Sequence, residues 1–170
     1  QIKGPYFVMV GKRSSYKNGG IVLESFINSE LRNQARIVCI GGEKFTDSEI
    51  ARFGTSVMRI GYTDDPTLVV AYSGAQALIY PSIYEGFGIP VIEAGACGCP
   101  VIACRNSSIP EAGGDACVYV NPGSGPEIVD AMRKMLDTGT REDWGKKGIE
   151  NARRFTWEKM ADVIKTRIMD

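Results

Sequence analysis

An α/β fold with an open, doubly wound sheet of about six parallel strands is the architecture that this 170-residue sequence predicts. Short apolar runs recur along the chain, and segments with apolar residues at helical spacing separate them. The runs are near-continuous, as in parallel strands that are buried on both faces. Because crossovers are right-handed, these βαβ units should form a Rossmann-like sheet, for which we expect the strand order 3-2-1-4-5-6.

Each predicted strand is one of these apolar runs, and their lengths are usual for strands. The six are YFVMV (6–10), RIVCI (36–40), SVMRI (56–60), ALIY (77–80), VIAC (101–104) and CVYV (117–120). After Asn121 no further run of this kind occurs, so only helices are expected there.

Helices are predicted where apolar residues recur every three to four positions. Asp65 is the predicted N-cap of one helix, because Pro66 follows it at a first helical position. Pro90 opens another, and Thr156 is the predicted N-cap of the last. The predicted helical segments are 20–31, 63–75, 89–98, 126–136, 140–155 and 156–169.

The charge and residue composition exclude several classes of function. Twenty basic and twenty acidic side chains cancel, so no net field attracts nucleic acid or an anionic membrane surface. The chain has no histidine, which removes Ser-His, Cys-His and His-ligated zinc chemistry. Its five cysteines include no CxxC pair and are expected to be buried and reduced rather than bound in a metal site or disulfide.

The start of the chain suggests how it relates to a larger protein. A strand-like run follows Gln1 by residue 6, so we expect this chain to be a piece of a longer polypeptide. The start lacks the regions of a signal peptide, and no apolar run reaches the roughly 20 residues of a membrane span. A cytoplasmic location is therefore expected.

Ligands of open α/β sheets bind beyond the carboxyl ends of the strands, where the strand order reverses. The loop after the first strand, GKRSSYKNGG, contains neither GxGxxG nor a P-loop, but it offers Lys12, Arg13 and Lys17. Such side chains are often solvated surface. Three at a switch point instead favour a phosphate site.

The loop after the fourth strand continues into the stretch YEGFGIPVIE. Gly86 and Gly88 allow the backbone to approach a ligand, and the helix that starts at Pro90 directs its dipole there. Glu93, expected in the first turn of this helix, is suited to accept hydrogen bonds from a ribose diol. Glu85 is free to face a second polyol, the sugar.

Each of these residues also has an ordinary structural interpretation. Glu93 could be a first-turn acid favoured by the helix dipole, and Glu85 a solvated loop acid. Phe87 could fill a gap between helix and sheet or contact the ligand. The combination of both acids with the glycines, the proline and the basic loop favours the functional interpretation.

The segment PSIYEGFGIPVIEAGACGCPVIACRNSSIPEAGGDACVYVNP (81–122) resembles the signature of glycosyl transferases group 1. These are retaining glycosyltransferases with two Rossmann-like domains, the GT-B type, and they include sucrose synthases and many bacterial polysaccharide transferases. Their hallmark is two glutamates separated by seven residues, which Glu85 and Glu93 match. The resemblance implies that residues 1–170 are the C-terminal, donor-binding half, without the N-terminal acceptor-binding domain.

The resemblance also implies roles for individual residues. Glu93 would bind the nucleotide ribose and Glu85 the sugar hydroxyls. Arg13 and Lys17 resemble the basic pair that neutralises the diphosphate, and Lys12 stands where the family commonly has arginine, so it can share or replace the role of Arg13. The positions that would meet the sugar, phosphates or base are Gly86, Phe87, Gly88, Ile89, Ile60 and Tyr62.

The implied reaction moves a sugar from a UDP-, GDP- or ADP-linked donor to a glycan or lipid acceptor, with retention. Positive charge at the departing diphosphate would come from Arg13, Lys17 and the helix near Pro90, without a metal or cofactor. The sequence contains no D-x-D motif, which agrees with this. The isolated chain should bind donor but transfer little, and the parent enzyme can lie at the inner face of a membrane.

Two alternatives remain open from the sequence. One is a nucleotide-sugar epimerase of the same fold, although such enzymes typically use histidine, which is absent. The other is a non-catalytic nucleotide-binding module, which would have no need of Glu85 at the sugar position.

Overall fold

Six parallel strands form one sheet at the centre of the fold: β1 (Tyr6–Val10), β2 (Arg36–Ile40), β3 (Val57–Ile60), β4 (Leu78–Tyr80), β5 (Val101–Cys104) and β6 (Cys117–Val120). The computed structural model describes residues 2–169. The strand order is β3-β2-β1-β4-β5-β6, and every pairing is parallel. The predicted fold class and strand order are confirmed.

Helices connect the strands and close the chain. They are α1 (Gly19–Ile27), α2 (Asp47–Phe53), α3 (Asp65–Gly74), α4 (Ile89–Ala96), α5 (Ile109–Gly113), α6 (Gly125–Lys134), α7 (Thr138–Ala152) and α8 (Trp157–Met169), with 3₁₀ turns at Ser15–Lys17, Glu30–Asn33 and Gly114–Ala116. Thr156 accepts a hydrogen bond from the Lys159 amide at 3.2 Å, as expected of the N-cap of α8. Within residues 2–169, no helix is both long enough and apolar enough to cross a membrane.

The predicted helix 20–31 is shorter in the structure. α1 ends at Ile27, and a separate 3₁₀ turn follows at Glu30–Asn33. Ser29 separates the two, because its hydroxyl donates to the Phe26 carbonyl at 2.8 Å and accepts from the Leu31 amide at 3.3 Å. A serine that bonds to nearby backbone in this way competes with helix continuation.

Further differences from the prediction include the start of α3 and the presence of α2. The N-cap of α3 is Asp64 rather than Asp65, since the Asp64 carboxylate accepts from the Thr67 amide at 3.1 Å. α2 was not predicted, although Thr46 and Glu49 form a capping box at its start. Only seven residues long, α2 offers too few positions for apolar periodicity to be visible.

The core has two layers, one on each face of the sheet. Successive residues of β1 point to opposite faces: Phe7 packs with Phe26 of α1 and Ile128 of α6. Val8 packs on the other face, in the cluster that includes Val91 of α4. Burial on both faces explains why the strand sequences are continuously apolar.

All five cysteines are free, and four of them are buried. Burial raises the pKa of the Cys39 thiol to about 11 and that of Cys117 to about 12. Both thiols therefore stay protonated at neutral pH and behave as small apolar side chains. The prediction of reduced, buried cysteines is confirmed for these four, while Cys97 is partly exposed.

Helices α4 and α7 approach each other through glycines. A Cβ atom on Gly95 would lie 3.0 Å from the Gly148 carbonyl oxygen. One on Gly145 would lie 2.5 Å from the carbonyl oxygen of Gly98, which follows α4. The two backbones are in direct contact, so the position of α4 is determined by α7.

Replacing Gly145 should test this contact. We expect Gly145→Ala to destabilise the fold by about 1–3 kcal/mol, because the new methyl group meets a backbone carbonyl that cannot move alone. The measurement is the free energy of unfolding by denaturant titration. Gly139→Ala in the same helix is the control, because its Cβ would come no closer than 3.6 Å to another group. Equal stabilities of the two variants would contradict the proposed close contact.

Candidate functional site

The candidate site lies where the strand order reverses, at the carboxyl ends of β1 and β4. The loop after β1 crosses this point and is tied to its neighbours. The Ile83 amide donates to the Tyr16 carbonyl at 2.8 Å. The Asn18 side chain donates to the carbonyls of Pro122 and Pro81, at 2.8 and 3.4 Å. The loops after β1, β4 and β6 therefore form one connected edge.

Lys17 and Glu85, two of the predicted site residues, meet at this edge. Lys17 Nζ donates to Glu85 Oε1 at 2.6 Å, and the two side chains are only 21% and 11% exposed. The ammonium group also lies 5.5 Å from the ring centres of Tyr16 and Tyr80. Because the pair is largely shielded from water, removing either partner would leave an uncompensated charge.

Opposing effects act on the pKa of Glu85. Burial raises it, whereas the hydrogen bond from Lys17 and the nearby hydroxyls of Ser82 and Tyr80 lower it, and the net pKa lies below its ordinary value. Ser82 contributes by proximity only, since its buried hydroxyl makes no well-formed hydrogen bond with a described residue. Glu85 is therefore ionised at neutral pH, although it is mostly buried.

The main chain of Glu85 is held from the opposite side, by the loop after β5. The hydroxyls of Ser107 and Ser108 both donate to its carbonyl oxygen, at 2.7 and 2.9 Å. Both lone-pair positions of this carbonyl are thus used. Side chain and backbone of the same residue are fixed by two different loops.

The two glycines of the motif, Gly86 and Gly88, have different structural roles. Gly88 has a φ of +97° and immediately precedes α4, so a residue with a side chain would be strained there. A Cβ on Gly88 would also lie 3.4 Å from that of Ala112. At Gly86, a Cβ would meet nothing within 4 Å. Gly88 therefore sets the start of α4, while Gly86 leaves open space beside Glu85.

Glu93 lies in the second turn of α4, not in the first as predicted. The helix begins at Ile89, directly after the left-handed Gly88, and its first turn contains no acidic residue. Glu93 is exposed, and the hydroxyl of the buried Tyr72 donates to its Oε2 at 3.2 Å. Glu93 is thus not an acid of the first turn, so a favourable interaction with the helix dipole does not explain its presence.

Arg13 is engaged away from Glu85, with the loop after β2. Its amide donates to Glu43 Oε2 at 3.1 Å, and its guanidinium donates to the Glu43 carbonyl and lies 4.5 Å from the Phe45 ring centre. Ser14 Oγ donates to Glu43 Oε1 at 2.8 Å. The Glu43 backbone amide, the Arg13 amide and the Ser14 hydroxyl lower the pKa of Glu43 to about 2. Arg59 Nε also donates to the Glu43 carbonyl, at 3.0 Å.

The structure therefore separates Arg13 from Lys17, which were predicted as one basic pair. Arg13 Nη1 is buried without a partner among the described residues. Lys12 is exposed, and within residues 2–169 it forms no hydrogen bond or ion pair. Of the two adjacent cations, Lys12 is the one whose charge is uncommitted.

The remaining predicted residues lie around the same edge. Tyr62 is 89% exposed, and Ile60 is half-buried at the end of β3. Ile89 is exposed at the start of α4. Phe87 is 42% exposed and packs edge-to-face on Phe155 with ring centres 5.8 Å apart, so it fills a gap yet keeps a free surface.

Sequence reasoning missed four residues that hold the site together. They are Glu43, Tyr72, Ser107 and Ser108. Glu43 directly follows β2, and the serines directly follow β5, so the rule that ligands bind at the carboxyl edge was a usable signal. Tyr72 carried no signal, because a buried tyrosine on a helix is indistinguishable from core in a sequence.

The described part of the chain offers no ready-made metal centre. Within it, no group of three or more histidine, cysteine, aspartate or glutamate side chains could hold a metal ion. Glu85 and Glu93 are instead each contacted by a hydrogen-bond donor, Lys17 and Tyr72. Carboxylates arranged singly in this way suit hydroxyl ligands.

Removing Lys17 should reduce the shift of the Glu85 pKa. In Lys17→Met, we expect the pKa of Glu85 to rise relative to the wild type, because the hydrogen bond and the positive charge of Lys17, which lower it, are removed while its burial remains. The lowered pKa of the wild type means that Glu85 contributes stability above its unfolded-state pKa and that this stability is lost as pH falls through the folded pKa. In Lys17→Met this contribution should be smaller.

The measurement is an NMR pH titration of the Glu85 carboxyl carbon, with Lys146→Met on the exposed face of α7 as the control. An unchanged Glu85 pKa in Lys17→Met would mean that the ion pair does not exist in solution.

Comparisons with known proteins bear on what this edge binds. Residues 2–151 match the family model of glycosyl transferases group 1. The O-antigen chain mannosyltransferase B of Escherichia coli is 30% identical in an alignment of 162 positions, which covers 90% of this chain and 42% of that protein. The chain therefore spans about two-fifths of the length of this relative. The relatives are named as glycosyltransferases, which does not favour an epimerase.

Solved structures share the fold. HepE of Anabaena, in complex with UDP and glucose, has a TM-score of 0.83 and 20% identity, over 98% of this chain and 48% of that one. The C-terminal domain of the group 1 protein LpcC from Francisella tularensis has a TM-score of 0.74 and 24% identity, over 89% of this chain and 87% of that one. Because the family model matches most of the chain, the chain belongs to the family of glycosyl transferases group 1.

Proposed function

We propose that this chain is the C-terminal, nucleotide-sugar-binding domain of a glycosyltransferase whose acceptor-binding domain is a separate, N-terminal unit. The observation that carries the proposal is the shielded Lys17–Glu85 pair at the carboxyl edge of the sheet. A cation and a carboxylate side by side suit a ligand that presents both phosphates and hydroxyls, as a nucleotide sugar does. The likeness in fold to HepE, which was solved with UDP and glucose, supports the same class of ligand.

Glu93 is the proposed acceptor for the nucleotide ribose. The Tyr72 hydroxyl engages Oε2, which orients the carboxylate and leaves Oε1 and further lone pairs for a vicinal diol. Glu85, on the loop that precedes α4, is the proposed acceptor for hydroxyls of the transferred sugar. The space beside Gly86 gives the sugar room there.

The diphosphate would lie between these two carboxylates, at the start of α4. The first turn of α4 has free N–H groups and the positive end of the helix dipole. Lys17 borders this space from the loop after β1. A second cation is expected near the diphosphate, because the charge of Lys17 is already offset by the Glu85 carboxylate.

Lys12 is the better candidate for the second cation, and Arg13 a structural residue. The Arg13 guanidinium is held by the Glu43 carbonyl and the Phe45 ring. Moving it to a phosphate would break these contacts, whereas the exposed Lys12 has none to break. Arg13 then acts on the diphosphate at longer range and keeps the loop in place.

In the proposed reaction, the bond between sugar and diphosphate breaks and negative charge develops on the leaving nucleoside diphosphate. Lys12, Lys17 and the α4 N-terminus stabilise that charge without a metal. The acceptor hydroxyl attacks from the face of the leaving group, which takes the proton, and the anomeric configuration is retained. No histidine base in this domain is needed.

The proposed acceptors are glycans or lipid-linked saccharides, as in polysaccharide synthesis. The relative from Escherichia coli is an O-antigen chain mannosyltransferase, which supports this class. The parent enzyme would work in the cytoplasm, peripherally at the inner face of a membrane. UDP-, GDP- and ADP-linked sugars are all compatible with the site chemistry.

Calorimetric titration tests the donor proposal. UDP-, GDP- and ADP-linked glucose and mannose are titrated into the chain in EDTA, and we expect at least one to bind. Glu93→Ala should weaken that binding about tenfold or more, because charge-assisted hydrogen bonds to the ribose are lost. Glu142→Ala on the exposed face of α7 is the control. No binding of any donor would overturn the proposed function, and equal binding of donor and free diphosphate would favour a simple nucleotide module.

A second titration separates Lys12 from Arg13. Lys12→Gln should weaken binding of the free nucleoside diphosphate about tenfold and leave the free energy of unfolding unchanged. Arg13→Gln should instead lower the free energy of unfolding, since it removes the Glu43 and Phe45 contacts. The reverse pattern, with affinity lost mainly in Arg13→Gln, would assign the diphosphate to Arg13.

A further inference from the structure

The Glu85 carbonyl is an unusual acceptor for a loop residue, because two serine side chains donate to it at once. Ser107 Oγ lies 2.7 Å and Ser108 Oγ 2.9 Å from this oxygen. Both serines belong to the loop between β5 and α5. Ser107 and Ser108 lie 22 and 23 residues after Glu85 in the chain. One hydroxyl would be enough to give a loop carbonyl a hydrogen-bond partner, so the second further restricts the position of the Glu85 backbone.

Each serine forgoes a locally favoured arrangement to make this contact. Ser107 adopts a φ of +52°, the left-handed region that residues with a side chain rarely occupy. Ser108 is the N-cap residue of α5, yet its hydroxyl makes no capping hydrogen bond to the helix. A serine at an N-cap normally accepts from the helix backbone. Both hydroxyls are instead directed to Glu85.

With this contact, Glu85 is held at both its side chain and its backbone. The Glu85 carboxylate is held by Lys17 from the loop after β1, and its carbonyl by the two serines from the loop after β5. The next residue, Gly86, has no neighbour within 4 Å of a Cβ position and offers no restraint of its own. When a ligand phosphate draws Lys17 away from the carboxylate, the two serine contacts still restrain the backbone of Glu85.

We propose that Ser107 and Ser108 are positioning residues that fix Glu85 at the sugar end of the donor site. This inference rests on the proposed function, because it assigns the serines to the recognition of the sugar and not of the nucleotide. A fixed carboxylate selects among sugars by the stereochemistry of their hydroxyls. A loosely held one would accept them with weaker preference.

The quantity to measure is the gain in affinity that the sugar gives. UDP-glucose, UDP-galactose, GDP-mannose and ADP-glucose are titrated into the chain, each beside its free nucleoside diphosphate, and the ratio of the two dissociation constants is taken. In Ser107→Ala/Ser108→Ala, we expect this ratio to fall about fivefold to tenfold toward unity for the donor that binds the wild type. Binding of the free diphosphate should not change.

Two single variants keep the test independent of folding. Ser107→Gly removes a hydroxyl where glycine suits the backbone, so it should fold as stably as the wild type and still lose part of the ratio. Ser108→Thr retains a hydroxyl and should restore most of the ratio relative to Ser108→Ala. Ser29→Ala, which removes a hydroxyl-to-carbonyl bond at the opposite edge of the sheet, is the matched control.

The outcomes separate this inference from the proposed function. If the wild type binds donor more tightly than diphosphate and the serine variants keep the full ratio, the positioning role is refuted while the proposed function stands. If affinity for diphosphate and donor falls equally, the serines only stabilise the loop, and the inference is refuted. If the wild type shows no gain from any sugar, both are refuted.

Discussion

The parallel direction of all six strands is the constraint on which the rest of this structure depends. Each strand then delivers its following loop to one edge, and the reversal of order between β1 and β4 opens a crevice there. Residues that are far apart in sequence are brought together by this arrangement alone: Lys17, Glu85 and the two serines after β5 come from three loops. Burial on both faces of the sheet keeps the strands, and so the loops, in register.

The charges at this edge are of both signs and do not form a patch of one sign. Glu85 offsets Lys17, and Glu43 binds the loop that carries Arg13. A net charge of zero for the whole chain agrees with this local balance. Under the proposed function, the ligand is recognised by individual donors and acceptors at short range, since a balanced chain exerts little attraction at a distance.

The fold and the outline of the site could be predicted from the sequence, because strand periodicity and the carboxyl-edge rule act at the level of whole segments. Lys17, Glu85 and Glu93 were found in this way, and the structure places them at the expected edge. What the sequence could not supply was orientation. Which of Lys12 and Arg13 faces the crevice depends on Glu43 and Phe45, which lie about thirty residues further along the chain. In the sequence, Ser107 and Ser108 are indistinguishable from serines that cap a helix, and only the structure shows that their hydroxyls bind the Glu85 carbonyl.

The direct backbone contact between α4 and α7 has a mechanical consequence. Side chains between helices usually act as a compliant layer that absorbs small shifts, but glycine against glycine leaves none. Glu93 and the N-terminus of α4 therefore share a single rigid unit with α7, a helix that carries no candidate ligand residue itself. A force applied to the outer surface of α7 would therefore reach Glu93 and the start of α4 almost undamped.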